Sequence, residues 1–269
     1  MSKLTTLMGT ACVLAMAALS GGPAAAAPIG PITAYAQTGY DRTTVQHGQS
    51  INEWFLGGAV GGSTPWQGVD VQVDGEYAHD WANHASAENW FTGGDLFFSG
   101  MDSRTGLDGH WEHYHANGSN FDGYSFGGFM EWYIANFTVA GKAGFVWTTP
   151  SAGGNGNYVG VSGIGYFMPD LAVSAKFNWL DITGASCSGL CRVDIRDDTF
   201  GIGAEFLFDE SMPITIGGSF AYDSFGGKGV GHGYHTETWL IRLRYYTGMG
   251  TLMDHHRNGN LNDNVAGPF

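Results

Sequence analysis

Charged side chains occur at alternate positions in several stretches of the sequence, with large apolar residues between them. Arg242 and Arg244, for example, alternate with Ile241, Leu243 and Tyr245. Side chains that alternate along an extended strand point to opposite sides of it. The charged groups of such strands therefore gather on one surface, where their field can attract, repel or sort ions and polar solutes.

Twelve charged residues fall on this surface when the alternation is followed along the chain. They are Asp70, Asp74, Glu76, Asp95, Asp108, Glu112, Glu131, Lys142, Lys176, Glu205, Arg242 and Arg244. The acids outnumber the bases and lie mainly in the first half of the chain, whereas the bases lie in the second half. If one enclosed surface carries them all, the acids and the bases form two separate walls.

Three residues on this surface also suggest catalysis. His110 alternates with Asp108 and Glu112, and a histidine beside carboxylates can transfer protons or activate a nucleophile in a lipid hydrolase or protease. The spacing singles out no serine to complete such a group, and a lone histidine in a strand is more often a structural polar residue. We therefore expect no enzymatic activity.

The elements that carry these residues are predicted to be strands, because period-two alternation recurs along most of the chain and helical spacing does not. The predicted strands are 33–45, 51–62, 67–79, 89–101, 104–116, 122–134, 137–148, 156–168, 171–182, 198–208, 213–225 and 236–247. Their length, about 11 to 13 residues, exceeds the about 5–6 of soluble domains and suits a tilted crossing of a bilayer. Strand 33–45 has a weak apolar face, so ten strands are the alternative to twelve.

The connections between the predicted strands alternate between tight and long. Short runs of turn-forming residues at 63–65, 102–103, 135–136, 169–170 and 209–213 alternate with longer polar, glycine-rich segments such as "NGSNFD" and "GGKGVGHGYHTE". Short turns at one end and long loops at the other are typical of bacterial outer-membrane barrels. A soluble Greek-key sandwich has no reason to alternate in this way.

The cost of exposing charge to lipid decides which face is which. Pointing Lys142, Lys176 and Arg242 at acyl chains would cost about 2–4 kcal/mol each at mid-membrane. The charged face is therefore expected to line the interior. The hairpin at 199–222 would then present apolar residues to lipid, namely Phe200, Ile202, Phe206, Ile214, Ile216 and Phe220.

With these features, and with phrases such as "WFTGGDLFFSGMDSRTG", "GYSFGGFMEWYI", "IGYFMPDLAVSAKFNWLDI" and "TWLIRLRYYTG", the chain resembles the porin-like outer-membrane β-barrels of Gram-negative bacteria. The resemblance extends from about Ile32 to Gly248. It implies an all-β, antiparallel up-and-down barrel of about twelve strands in the outer membrane, with membrane lipid and the barrel assembly machinery as partners. Such barrels usually end on an aromatic residue of the last strand. Here Phe269 is separated from that strand, so Tyr246 is expected to take its role.

The function implied is a passive channel for ions or small polar solutes, with a charged lumen and a mild preference for cations. Ion transport of this kind needs no cofactor, and we expect none. The alternative is a non-conducting structural or surface-binding barrel whose interior side chains pair with one another. Pore size, solute and oligomeric state stay open.

Histidines form a second candidate site at the rim that carries the long loops. His79, His113, His115, His232 and His235 lie near strand ends at this rim, where imidazoles from distant strands could bind a divalent metal. Their spacing matches no known zinc motif, so we interpret them as polar loop residues and expect no metal.

The two ends of the chain lie outside the predicted barrel. Residues 1–26 have the basic start, apolar run and small-residue cleavage site of a secretory signal peptide that is removed. Residues 27–248 form the barrel domain, and residues 249–269 are predicted to be a polar periplasmic tail in which "DHHR" is solvated.

Two further observations restrict the chemistry. In an exported protein, Cys187 and Cys191 are expected to form a local disulfide. The formal net charge of −14 argues against nucleic acid as a partner, since binding to phosphates relies on Lys and Arg.

Overall fold

The computed structural model describes residues 32–46, 49–64, 68–82, 85–116, 119–149, 153–187, 191–209, 212–227, 231–248 and 250–258. The predicted leader, residues 1–26, and Phe269 lie outside these ranges. The described elements are β1 (Thr33–Val45), β2 (Gln49–Ser63), β3 (Val69–Ala82), β4 (Ala85–Ser99), β5 (Ser103–Ala116), β6 (Ser119–Ile134), β7 (Phe137–Thr149), β8 (Asn155–Met168), β9 (Leu171–Cys187), β10 (Cys191–Asp209), β11 (Met212–Gly227), β12 (Gly231–Tyr246) and the helix α1 (Leu252–Asn258). Within these ranges no helix is long and apolar enough to cross a membrane.

The twelve strands form one closed barrel in which each strand pairs antiparallel with the next. The first strand closes the circle, because β1 pairs with β12 from Tyr35 opposite Tyr246 to Val45 opposite Thr236. The prediction of an antiparallel barrel of twelve strands is confirmed, and the ten-strand alternative is wrong. The weak apolar face of β1 is sufficient because both of its edges are hydrogen-bonded to neighbouring strands.

The strands extend further at one end of the barrel than the sequence pattern predicts. β9 continues to Cys187 and β10 begins at Cys191, where a loop over 183–197 was expected. The connections at this end are therefore shorter than predicted, and we call it the loop rim. The opposite end carries the tight turns Gly100–Asp102, Ala135–Asn136 and Pro169–Asp170, and we call it the turn rim. Continued pairing satisfies the backbone donors and acceptors, which explains why polar residues stay in the strands.

Large apolar side chains cover the outside of the barrel. Phe200, Ile202 and Phe206 of β10 are each about half exposed, and Phe145 and Trp239 are more than 60% exposed. A soluble monomer rarely exposes a continuous apolar surface of this extent. This exterior is suited to acyl chains, as the cost argument from the sequence predicts.

Outward-facing aromatic rings also contact one another from strand to strand. Tyr77 packs against Trp54 on one side, at 6.4 Å between ring centroids, and against Trp90 on the other, at 4.5 Å. Tyr124 stacks on Trp147 at 5.8 Å. Rings of this kind, apolar with one polar edge, are enriched at membrane–water interfaces.

Candidate functional site in the barrel interior

The acid wall consists of interior-facing residues of β3, β4 and β5. Asp74, Asp95, Asp108 and His110 form its centre, and cross-strand pairing sets Asp95 directly opposite Asp108. His110 lies between two of the acids, with Nε2 3.4 Å from Asp108 Oδ2 and Nδ1 4.0 Å from Asp74 Oδ2. The wall therefore concentrates negative charge around one imidazole, whose ring stacks on Phe91 at 5.0 Å.

The other acids of this wall each accept a hydrogen bond from another strand. Glu76 accepts from Gln37 Nε2 at 2.9 Å, Glu112 accepts from Asn89 Nδ2 at 2.5 Å, and Asp70 accepts from Ser99 Oγ at 2.7 Å. The acids of this wall are therefore distributed along the barrel from one end to the other. All six acids predicted on strands three to five thus face the interior.

A hydrogen bond crosses the interior between β8 and β5, which are three strands apart. The Tyr158 hydroxyl on β8 donates to Asp108 Oδ2 on β5 at 2.8 Å. Lys142 of β7 is buried, with Nζ 5.7 Å from the centre of the Tyr158 ring. The interior is therefore narrowed at this level, and the predicted base Lys142 stands beside the narrowing.

The base wall consists of Lys176 on β9 with Arg242 and Arg244 on β12. Its centre is the buried carboxylate of Glu205, which accepts from Arg242 Nη2 at 2.9 Å and from Thr215 Oγ1 at 2.6 Å. Arg244 Nη1 lies 4.0 Å from the same carboxylate. A buried carboxylate needs such partners, because the loss of hydration is otherwise uncompensated.

A separate ion pair occupies the turn rim. Arg104 Nη1 lies 3.7 Å from Glu131 Oε2, both side chains being buried, and the Tyr133 hydroxyl donates to Glu131 at 2.9 Å. Sequence reasoning placed Glu131 in the interior but missed Arg104. The alternation that selected Asp108 also selects Arg104, four positions earlier on the same strand.

The helix α1 lies inside the barrel at the turn rim. Its first turn has a capping arrangement in which Thr251 Oγ1 accepts from the Asp254 backbone nitrogen, while Asp254 Oδ2 accepts from the Thr251 backbone nitrogen. Leu252 is fully buried, and its backbone nitrogen donates to the Pro169 carbonyl of a tight turn at 2.9 Å. The helix is therefore docked against the wall.

Two side chains of α1 attach it to opposite parts of the wall. His256 Nε2 lies 3.1 Å from the Tyr246 hydroxyl and 3.7 Å from Glu205 Oε2. Arg257 donates to the Phe137 carbonyl at 2.8 Å, and its own carbonyl accepts from Arg104 Nη2 at 2.7 Å. The prediction that "DHHR" is solvated is therefore wrong, because the interior supplies partners for these polar groups. Residues 259–269 lie outside the described residues.

His255 of α1 also contacts the last strand. Its ring is buried and stacks on Tyr246 at 4.6 Å between centroids. Burial, reinforced by the neighbouring His256, lowers the pKa of His255 below its ordinary value, although Asp254 and Glu205 oppose the change. A neutral His255 is therefore favoured while the helix is docked.

Tyr246 belongs to the interior network. Its side chain is 1% exposed, and its hydroxyl donates to Glu205 Oε1 at 3.0 Å. Because side chains alternate along the strand, Tyr245 points outward and Tyr246 inward. The assembly role expected of Tyr246 stays a prediction.

Two cavities adjoin α1. The larger, of about 540 Å³, lies between the helix and β2–β5, and its charged lining is Asp70, Asp102, Arg104, Asp254 and Arg257. The smaller, of about 130 Å³, lies between the helix and β8–β12. The helix thus occupies the mouth at the turn rim without filling it.

The histidines of the loop rim lie on three strands, with His79 on β3, His113 and His115 on β5, and His235 on β12. His113 Nδ1 lies 2.7 Å from Asp122 Oδ1, His115 contacts Asn120, and His79 and His235 stack on Trp81 and Tyr222. Among the described residues, no three His, Cys, Asp or Glu side chains are grouped to hold a metal ion. The side chain of His232 lies outside the described residues.

The predicted disulfide concerns side chains that are also outside the described residues. The backbones of Cys187 and Cys191 are opposite each other where β9 and β10 meet. The pairing of their sulfur atoms stays a prediction.

Comparison of this geometry with known proteins identifies similar folds. No protein-family model and no curated protein matches the chain. An outer-membrane channel from Pseudomonas putida F1 superposes with a TM-score of 0.59, at 10% sequence identity, over 84% of this chain and 99% of that chain. Because the sequence identity is so low, this match shows a shared fold and nothing about function.

Two other solved barrels are similar more loosely. The KdgM porin, in complex with disordered oligogalacturonate, has a TM-score of 0.49 at 7% identity over 78% of this chain and 98% of that chain. The translocator domain of the autotransporter NalP from Neisseria meningitidis has a TM-score of 0.49 at 14% identity, over 90% and 97%. We draw no argument from either.

A closed antiparallel barrel with an apolar exterior and a charged interior defines the class of transmembrane β-barrels. The chain has the architecture of this class and shares its fold with the outer-membrane channel described above.

Proposed function

We propose that the protein is a passive outer-membrane channel for ions or small polar solutes. The observation that carries this proposal is the division of the interior into an acid wall on β3–β5 and a base wall on β9 and β12. Local ion pairs such as Arg104 with Glu131 hold parts of the interior together. The acid wall instead sets the carboxyl groups of Asp95 and Asp108 opposite each other on neighbouring strands, and a polar interior of this kind favours a hydrated path.

The path we propose enters at the loop rim and leaves beside α1. At the loop rim, Asp41, Glu53 and Asp80 occupy adjacent positions on β1, β2 and β3, so the entrance is acidic. At the turn rim, the cavity of about 540 Å³ between α1 and β2–β5 supplies the exit. The twelve pore-lining residues predicted from the sequence lie along this route in our proposal.

A mild preference for cations is expected from the charge balance. Acids outnumber bases among the predicted lining residues, and the entrance adds further acids. Rows of carboxylates raise the local concentration of cations and lower that of anions. In this proposal residues 1–26 direct export and are removed, and the turn rim faces the periplasm.

A closed scaffold is the second candidate, favoured by the position of α1 in the mouth. The docked helix and the bond between Tyr158 and Asp108 both narrow the interior. Planar-bilayer recordings of the purified full-length chain across a KCl gradient separate the two candidates. Conductance with a cation-selective reversal potential supports the channel. Silence of both the full-length chain and a chain ending at residue 248 would favour the scaffold.

We propose no catalytic role. Both ring nitrogens of His110 face carboxylates, and its register partner Ser125 is buried with it inside the barrel. A membrane phospholipid would contact the outer surface of the barrel, whereas His110 faces the interior. Hydrolysis of phospholipid vesicles by the purified protein, lost in His110→Ala, would contradict this part of the proposal.

A further inference from the structure

The smaller cavity, between α1 and β8–β12, is lined by charged and hydroxyl-bearing side chains. Its polar lining consists of Ser174, Lys176, Glu205, Ser219, Arg242 and His256. Its volume of about 130 Å³ is well above the about 10–15 Å³ that holds one water molecule. The cavity can therefore hold a small polyatomic ion.

Positive charge prevails in this cavity. Lys176 and Arg242 both line it and carry like charges. Within the described part of the chain, no hydrogen bond reaches the Lys176 ammonium. Glu205 also lines the cavity, but it is shared by two arginines, Arg242 at 2.9 Å and Arg244 at 4.0 Å. Its negative charge is already neutralised.

Glycines in the strands make room for the two cations. A Cβ on Gly201 would lie 3.0 Å from Lys176 Cε, and a Cβ on Gly217 would lie 3.2 Å from Arg242 Nε. The stems of both cations thus lie flat against a wall without side chains. Both cations therefore border the same space, and Arg242 does so while it is paired with Glu205.

We propose that this cavity binds a small oxyanion, of the phosphate or carboxylate class. Lys176 and Arg242 supply charged donors, and the hydroxyl groups of Ser174 and Ser219 supply neutral ones. Oxyanions with several acceptor atoms are suited to such a mixed donor set. Because His256 of α1 forms part of the lining, the bound anion also stabilises the docked helix. The site exists whether or not the barrel conducts.

The test is calorimetric titration of the purified full-length barrel in detergent with inorganic phosphate, at constant ionic strength. We expect saturable binding and a rise in the unfolding temperature with phosphate concentration. Lys176→Met is expected to weaken binding about tenfold or more, the loss expected for a charge-assisted hydrogen bond. Lys142→Met, which removes a buried lysine that does not line the cavity, is the control and should change binding little. Acetate in a parallel titration distinguishes a general oxyanion site from a phosphate site.

Two outcomes would overturn the proposal. One is the absence of saturable phosphate and acetate binding in the parent protein. The other is an equal loss in the variants of Lys176 and Lys142, which would indicate a general effect of charge. If Lys176→Met does not fold, the double variant Ser174→Ala with Ser219→Ala keeps both cations and must still weaken binding several-fold. Unchanged affinity in this double variant would also contradict the site.

Discussion

The Tyr246 hydroxyl at the end of the last strand lies 3.1 Å from His256 Nε2 of the helix that follows. The chain therefore turns back into the barrel it has just completed. The same hydroxyl donates to Glu205, so the helix is attached to the hydrogen-bond network of the base wall. Changes in this network are expected to alter both stability and access to the interior.

Removal of the helix is expected to widen the exit. A chain ending at residue 248 lacks the contacts of Leu252, His256 and Arg257 with the wall. Single-channel conductance should rise by about twofold or more, since it depends on the narrowest open section of the path. A chain ending at residue 258 retains α1 and is the control. Equal conductance of the two truncated chains would show that α1 does not limit the current.

Neutralising Glu205 should destabilise the barrel. Glu205→Gln leaves Arg242 and Arg244 facing an uncharged amide in a buried site. Removing one partner of a buried ion pair costs about 3–5 kcal/mol. Urea unfolding in detergent measures the loss. Glu237→Gln, at an exposed position, should change the free energy of unfolding little. If both variants unfold at the same urea concentration, Glu205 does not hold the network together.

Acid should weaken the docking of the helix through His255. Its pKa is lowered in the docked state from an ordinary value of 6.5, so protons bind more tightly when the helix is released. The stabilisation from a neutral His255 is therefore complete above pH 6.5 and is lost as the pH falls through the lowered pKa. Conductance should increase over this range.

His255→Gln is the control for this pH effect. The variant keeps His256, Asp254 and Glu205 unchanged. The difference between the parent and this variant isolates His255. A parent protein whose conductance rises with acid no more than that of the variant would contradict the assignment.

Removing acids from the acid wall should reduce the preference for cations. In the double variant Asp74→Asn with Asp95→Asn, the reversal potential in a KCl gradient should shift toward that of chloride. Asp122→Asn, at an outward-facing position beside His113, should leave it unchanged. A double variant that conducts with the parent's selectivity would show that these acids do not face the conducted ions.

Alternation of side chains was sufficient to predict the strands and the faces they bury. Lys176 and Phe177 are adjacent, so their side chains point to opposite faces of the strand. Because lipid strongly disfavours a lysine and favours a phenylalanine, the alternation alone identifies Phe177 as the residue that faces lipid. The ends of the strands at the loop rim were not predictable in this way. Residues such as Gly184 and Asp194 lie outside the predicted strands, yet they belong to β9 and β10, where the Gly184 backbone nitrogen donates to Asp194 Oδ1 at 3.2 Å.

The docked helix could not be predicted from its own sequence, because it carries no apolar stripe of useful length. Its position depends on partners that are distant along the chain, such as Phe137 for Arg257 and Pro169 for Leu252. The pattern Thr251-x-x-Asp254 was the one local signal, as a capping box that begins a helix. The docking site of such a helix therefore depends on the tertiary structure of the barrel rather than on the sequence of the helix.

The seam between β1 and β12 joins residues about two hundred positions apart, and beyond it Thr247 and Ala34 exchange further hydrogen bonds. Contacts of such sequence separation form late and slowly. A chain that is still being delivered to the membrane, or one that stops short of β12, has two open strand edges that can pair with other chains. Loss of the last strand should therefore cause aggregation rather than a smaller barrel.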